Sequence, residues 1–132
     1  MAISFDKALG VSQHTVGIRS KRAEIIASNI VNADTPHYKA RDLDFASAMR
    51  SAKSNQSSAS MSRTHDKHFS ISTSMDGGMA YRVPNQPDTG DGNTVDVQVE
   101  RNLYMRNALE YQSSVQFLGG RFKGLRLAIK GA

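Results

Sequence analysis

The sequence predicts a mainly α fold: two long terminal helices pairing as a coiled coil, joined by a Ser-rich flexible segment and a short β-hairpin with an extended loop. Three observations predict it. Apolar residues recur at heptad spacing near both ends of the 132-residue chain, the middle is poor in them, and aromatics are only 7% of the residues. A core must therefore come from aliphatic helix faces. The expected organisation is one unit over residues 1–132, with a first helix over 4–32, a connecting region over 33–93 and a second helix over 94–129.

The first helix has Ser4 as its expected N-cap, because the hydroxyl can accept from a free first-turn N–H. Leu9, Val16, Ala23 and Ile30 form one stripe, and Val11, Ile18 and Ile25 form another. The two are offset by about 200° around a helix of 3.6 residues per turn, so one partner cannot cover both. Such a helix needs neighbours on two sides. Pro36 drives Thr35 out of the α region and ends the helix, while Asn32 and Asp34 suit side-chain to backbone turns.

Seven of the sixteen positions from Ser47 to Ser62 are serine. Residues 46–64 therefore read as a mobile stretch unable to supply a core. Phe69, Ile71 and Thr73 alternate with serines, Asp76-Gly77-Gly78 makes a turn, and Met79, Tyr81 and Val83 alternate again, which predicts a hairpin. Pro84, Pro87, Gly90 and Gly92 then predict an extended loop.

Asn93 or Thr94 is the expected cap of the second helix, with Asp96 and Glu100 at its positive end and Arg126 and Lys130 at its negative end. Tyr104, Ala108, Tyr111, Val115, Leu118, Phe122, Leu125 and Ile129 follow one another at gaps of 4 and 3, a coiled-coil seam over nearly four heptads. A helix of that length is about 50 Å long, so an elongated molecule is expected. Gly119, Gly120 and Gly124 interrupt the seam, either as fraying or as places where another backbone approaches closely.

The net charge is +5. By segment it divides into +2 for residues 1–39, −2 for 40–100 and +5 for 101–132. The excess sits in Arg101, Arg106, Arg121, Lys123, Arg126 and Lys130 against Glu110 alone, spread around the helix with no aromatic residues interleaved for base stacking. Nucleic acid is thus not the expected partner. A basic helical nucleic-acid-binding module remains the alternative from a different class, distinguished by salt-dependent DNA affinity without polymerisation.

Absence of cysteine excludes disulfides, a thiolate nucleophile and a Cys-based zinc site. No apolar run reaches the length of a membrane span, and the N-terminal residues lack the pattern of a cleaved signal peptide. His65 and His68 with Asp66 lack a rigid frame and a third ligand. Asp42, Asp44, Asp88 and Asp91 read as solvated or turn residues. No phosphate loop or Gly-x-Ser-x-Gly elbow occurs. No catalytic residue, metal, cofactor or small-molecule substrate is expected.

Ala27-Ser28-Asn29-Ile30-Val31-Asn32-Ala33-Asp34-Thr35-Pro36-His37-Tyr38-Lys39 resembles the N-terminal signature of the bacterial flagellar rod, hook and hook-filament junction family, whose pattern is close to A-N-N-I-A-N-x-x-T-P-G-Y-K. Asn29, Asn32, Asp34, Thr35, Pro36 and Tyr38 form the signature loop. His37 stands where the pattern has Gly, so an altered turn is expected there. The likeness extends to Ala40–Phe45, Tyr81–Pro87, Gly92–Asp96, Asn107–Gln112 and Phe117–Leu125, and favours the short proximal-rod members over the longer distal-rod and hook relatives. Another short axial paralogue of the proximal rod is the nearest alternative.

The resemblance implies a structural subunit that assembles helically into the proximal rod of the basal body, a drive shaft that transmits torque for motility. Leu9, Val16, Ala23 and Ile30, with the seam on the second helix, would form the assembly surface. One stripe of the first helix would meet the second helix and the other a neighbouring subunit. Implied partners are further copies, other rod proteins, membrane-ring and rod-adaptor proteins and the flagellar type III export gate. The implied location is the rod spanning the periplasm, reached without a cleaved signal. Phe5 and Leu9 resemble the export element of early substrates, and at i, i+4 they would equally make a packing pair.

Overall fold

The computed structural model describes residues 8–57, 79–84 and 90–131 of the chain. The elements run α1 (Val11–Val31), β1 (Arg41–Leu43), α2 (Phe45–Ser57), β2 (Met79–Tyr81) and α3 (Val97–Lys130). The fold is mainly helical with one small two-stranded sheet, as expected.

At 1.5 Å per residue α1 is about 32 Å long and α3 about 51 Å. They lie antiparallel: the Asn29 amide meets the Glu100 carboxylate near one end, and Arg19 pairs with Glu110 three turns away. Ala8 and Leu9 are helical too, but Gly10 breaks the helix before α1 with φ of +55°. Only glycine takes that conformation cheaply. The first helix thus divides at Gly10, whereas heptad spacing predicts an unbroken run. Its expected cap, Ser4, lies outside the described residues.

The cap of α3 is Asp96, not Asn93 or Thr94. Its carboxylate accepts from the backbone N–H groups of Gln98 and Val99 at 2.9 and 3.2 Å. Thr94 is diverted because its hydroxyl accepts from Ala40 N. Asn93 is engaged elsewhere, as described below.

The connecting region holds more order than its composition predicts. Phe45–Ser57 is a helix, although residues 46–64 read as mobile. The cause is its apolar spacing. Ala48 and Ala52, one turn apart, are buried, and Ala48 packs with Ile25 and Leu43 beside Ile18. Serines occupy other positions, and Asp44 supports the start by accepting from Ala46 N. The second stripe of α1 is therefore satisfied partly within the chain, by α2 and β1, and not solely by a neighbouring subunit.

β2 forms where the hairpin was expected, but its described partner is β1. The pairing is antiparallel, with Arg41 opposite Tyr81 and Leu43 opposite Met79. Phe69, Ile71 and Thr73 lie outside the described residues. So do Asp66, Asp76, Asp88, Pro87, His65 and His68.

Candidate functional site

Two regions carry the chemistry of the fold: a buried polar junction where the signature loop meets the start of α3, and the long outer face of α3.

Asn29 is the centre of the junction and fully buried. Its amide donates to Arg41 O at 2.7 Å and to Glu100 Oε2 at 3.2 Å. Its carbonyl oxygen accepts from Arg41 N at 3.1 Å and the Tyr38 hydroxyl at 3.3 Å. All four hydrogen-bonding positions of an amide are used, which no apolar residue of that size could imitate. Asn32 closes the helix, donating to Ser28 O at 2.8 Å while its side-chain oxygen accepts from Thr35 Oγ1. Asn29, Asn32, Thr35 and Tyr38 are thus brought together, whereas Asp34 and Pro36 face outward.

The loop is stitched to the chain that precedes α3. Asn93 donates to the carbonyls of Asn32, Ala33 and Thr35 at 2.7–3.1 Å, so one amide covers the end of α1 and the turn after it. Thr94 N donates to Tyr38 O, and His37 N to Asp91 O. His37 has φ of +61°. The left-handed turn that the family pattern fills with glycine is retained here by a histidine. It is made possible by a second glycine: a Cβ on Gly92, itself at φ +71°, would lie 2.8 Å from His37 Nδ1.

Behind the loop runs a chain of alternating charges. Arg22 on α1 grips Asp42 with two bonds of 2.9 Å, Arg82 reaches Asp42 at 3.1 Å, and the other arm of Arg82 binds Glu100. Burial is the largest single influence on the Asp42 carboxyl and pushes its pKa up. The hydrogen bonds from Arg22 and Leu43 N and the charges of Arg22 and Arg82 together outweigh burial and hold it below the ordinary value. The carboxylate bonded to Arg22 holds the guanidinium pKa above its ordinary value, against a smaller lowering by burial. Asp42 is therefore a structural anchor and not the solvated loop residue that its local sequence predicts. Reading the sequence missed Arg22, Arg82 and the role of Glu100, because the partners lie 18 to 40 residues apart. One signal was present: Glu100, Asn107 and Ser114 repeat every seven residues.

Those three are the buried residues of α3. Asn107 donates to Arg19 O at 2.9 Å, and Arg19, paired with Glu110, also stacks 4.3 Å from the centre of the Phe45 ring. The expected apolar seam is not the line that α3 turns inward. Tyr104, Ala108, Tyr111, Val115, Phe122 and Ile129 are exposed, Ile129 by 85%, and Leu118 and Leu125 are half-buried. The physical reason is that Glu100 and Asn107 of the polar line bond to α1 while Ser114 donates back to Glu110 O of its own helix, and the apolar seam lies on the adjoining face. Leu9, ahead of the break at Gly10, is buried, and on α1 Val16, Ala23 and Ile30 are half-buried. Phe5 lies outside the described residues.

Among the described residues no group of three His, Asp or Glu could hold a metal, and no helix is long and apolar enough to cross a membrane. A shallow groove of about 250 Å³ between α1 and α2 is lined by Ile18, Leu43, Ala48 and Ala52 together with Gln13, His14, Lys21 and Ser51.

No protein-family model matches the sequence. Curated proteins do. The chain is 52% identical over 131 residues to the flagellar basal body rod protein FlgB of Aeromonas hydrophila, covering 99% of this chain and 98% of that one. The chain belongs to the FlgB family of flagellar basal body rod proteins. It is 40% identical to FlgB of Yersinia enterocolitica, covering 95% of each chain, and 39% identical to FlgB of Escherichia coli K12, covering 95% of this chain and 94% of that one. The near-complete coverage means that the FlgB likeness includes the junction and both long helices together.

Proposed function

We propose that the chain is a non-catalytic structural subunit of the proximal rod, assembling helically with further copies and other rod proteins into the shaft that carries torque from the membrane ring to the distal rod and hook. The observation that carries this reading is the inverted character of α3: the line buried within the chain is polar, and the apolar seam faces out. Exposed apolar surface on that scale favours association, and head-to-tail contacts that do not close produce a helical tube. Among the described residues the space beside Gly119, Gly120 and Gly124 is open, which suits close approach by a neighbour's backbone.

In the assembled rod the seam residues Tyr104, Ala108, Tyr111, Val115, Leu118, Phe122, Leu125 and Ile129 meet neighbouring helices in coiled-coil fashion. The junction holds the two long helices at a fixed setting, so a torque applied to one is passed to the other. The subunit reaches the periplasm through the type III export gate, with Phe5 and Leu9 as the export element, and contacts membrane-ring and rod-adaptor proteins at the base.

Replacing Phe122 by Asp tests the reading. Motility and rod incorporation are expected to be lost while the protein is still secreted. Unchanged motility would refute the assembly role of the seam. Replacing Phe5 by Ala is expected to reduce secretion, and normal secretion would assign Phe5 to packing alone.

A further inference from the structure

Open-ended assembly needs two different surfaces that fit each other, because a face that packs against itself closes at a dimer whereas unlike faces repeat. The α3 seam is one such surface. The groove between α1 and α2 has the form of the other. Its floor is Ile18, Leu43, Ala48 and Ala52. Gly17 also lines it, and a Cβ placed there meets nothing within 4 Å among the described residues. At about 100° per residue, Gly17 and Lys21 each lie about 160° around α1 from Arg19, which bonds to α3. The groove and α3 are therefore on nearly opposite sides of α1.

The antiparallel register sets the heights. Asn29 is level with Glu100 and Arg19 with Glu110, which places Ile18 level with Tyr111 and His14 level with Val115. When two copies stand side by side at one height, the middle of one seam is level with the groove of the next. The chemistry also matches. Tyr111 is exposed, and its hydroxyl has no hydrogen bond among the described residues. A tyrosine ring on an apolar floor needs a polar partner for its tip, and His14 and Ser51 line the same groove. Residues 111–120 carry no charge, so Lys21 meets no like charge from this part of α3.

Charge complementarity marks one end of the contact. Glu24 lies two turns beyond Gly17 on the same face of α1, and its pairing with Lys21 at 3.3 Å is an exposed, weak one. Arg101 is exposed and unpaired among the described residues. It lies about 60° around α3 from Tyr104 and within about 6 Å of the height of Glu24, so a neighbour at the same height brings the two charges within reach.

We propose that the groove between α1 and α2 of one copy receives Tyr111 and Val115 of the α3 seam of the next copy, a contact between unlike faces that repeats through the assembly. The proposal rests on the reading of the chain as an assembling rod subunit and adds the surface that receives the seam.

The chain has no cysteine, so engineered cysteines report contacts without background. Ala108→Cys on the seam and Ser51→Cys in the groove both replace small residues at exposed positions. Basal bodies from cells producing A108C/S51C are treated with a short bifunctional maleimide and run on a denaturing gel. A ladder of covalent multimers is expected, with no ladder from either single variant. Gly17→Leu fills the groove from its own chain and raises helix propensity. Its incorporation into basal bodies is expected to fall roughly tenfold or more while the Tm of the purified chain is unchanged or higher. Cross-linked dimers from A108C alone would show the seam packed on itself and overturn the proposal. Absence of the ladder from A108C/S51C that is normally incorporated, or full incorporation of Gly17→Leu, overturns it too. The rod reading survives each of these results, since it is tested separately by Phe122→Asp at another height of the seam. Failure of the wild-type chain to enter basal bodies would overturn both.

Discussion

Replacing Arg82 by Met should destabilise the chain by about 3 kcal/mol, because it strands a buried carboxylate. Glu100 is 1% exposed, and its described side-chain partners are Arg82 and the Asn29 amide at 3.2 Å. Removing one member of a buried pair costs about 3–5 kcal/mol, mostly through the charge left behind. The Arg82 side chain is 24% exposed, so water screens part of the loss and the lower end applies. Removing Glu100 instead should cost less, since Arg82 keeps Asp42 and a wet edge. In urea, with a slope of about 2 kcal/mol per molar, R82M should lower the midpoint by about 1.5 M. In R82M/E100Q the carboxylate is replaced by a neutral amide that still accepts from Asn29, and about half of the loss should return. A midpoint for R82M within about 0.2 M of wild type, or a double variant no better than R82M, would refute the reasoning.

Stability should fall in acid through Asp42. Its folded pKa lies below the unfolded one, so its contribution is whole above about pH 4 and is lost as pH falls through the folded value; D42N should flatten that part of a stability profile. His37→Gly should raise stability by about 1 kcal/mol by removing a side chain from a left-handed backbone, read as a higher Tm. Gly92→Ala should cost more than 1 kcal/mol, and combined with H37G it should cost visibly less, because the added methyl would strike the histidine ring. Asn29→Ala should cost about 3 kcal/mol by removing four hydrogen bonds at the junction, one of them to the buried Glu100, with N29D no better, since a carboxylate there would face Glu100. Hydrogen exchange at residues 38–43 should report the same loss.

The heptad series, the proline stop at Pro36 and the signature loop were legible because each is written in neighbouring residues. The sequence alone determined that two long helices flank the connecting region, that the chain belongs with axial proteins, and that position 37 needs an unusual backbone. α2 was hidden by its serines. Its helix depends on burying Ala48 and Ala52 against Ile18, Ile25 and Leu43, and burial is a property of the assembled chain.

Tertiary structure alone decided which face of α3 turns inward. Periodicity shows that a helix has an apolar face but not whether its own chain or a neighbour covers it. Here hydrogen bonds from Asn29 to Glu100 and from Asn107 to Arg19 O hold the polar line against α1, contacts between residues distant in sequence that periodicity does not record. Ion pairs likewise join Arg22, Asp42, Arg82 and Glu100 across four separate segments. Charge pairing over such separations leaves no periodic trace along the chain, so only the fold could bring it to view.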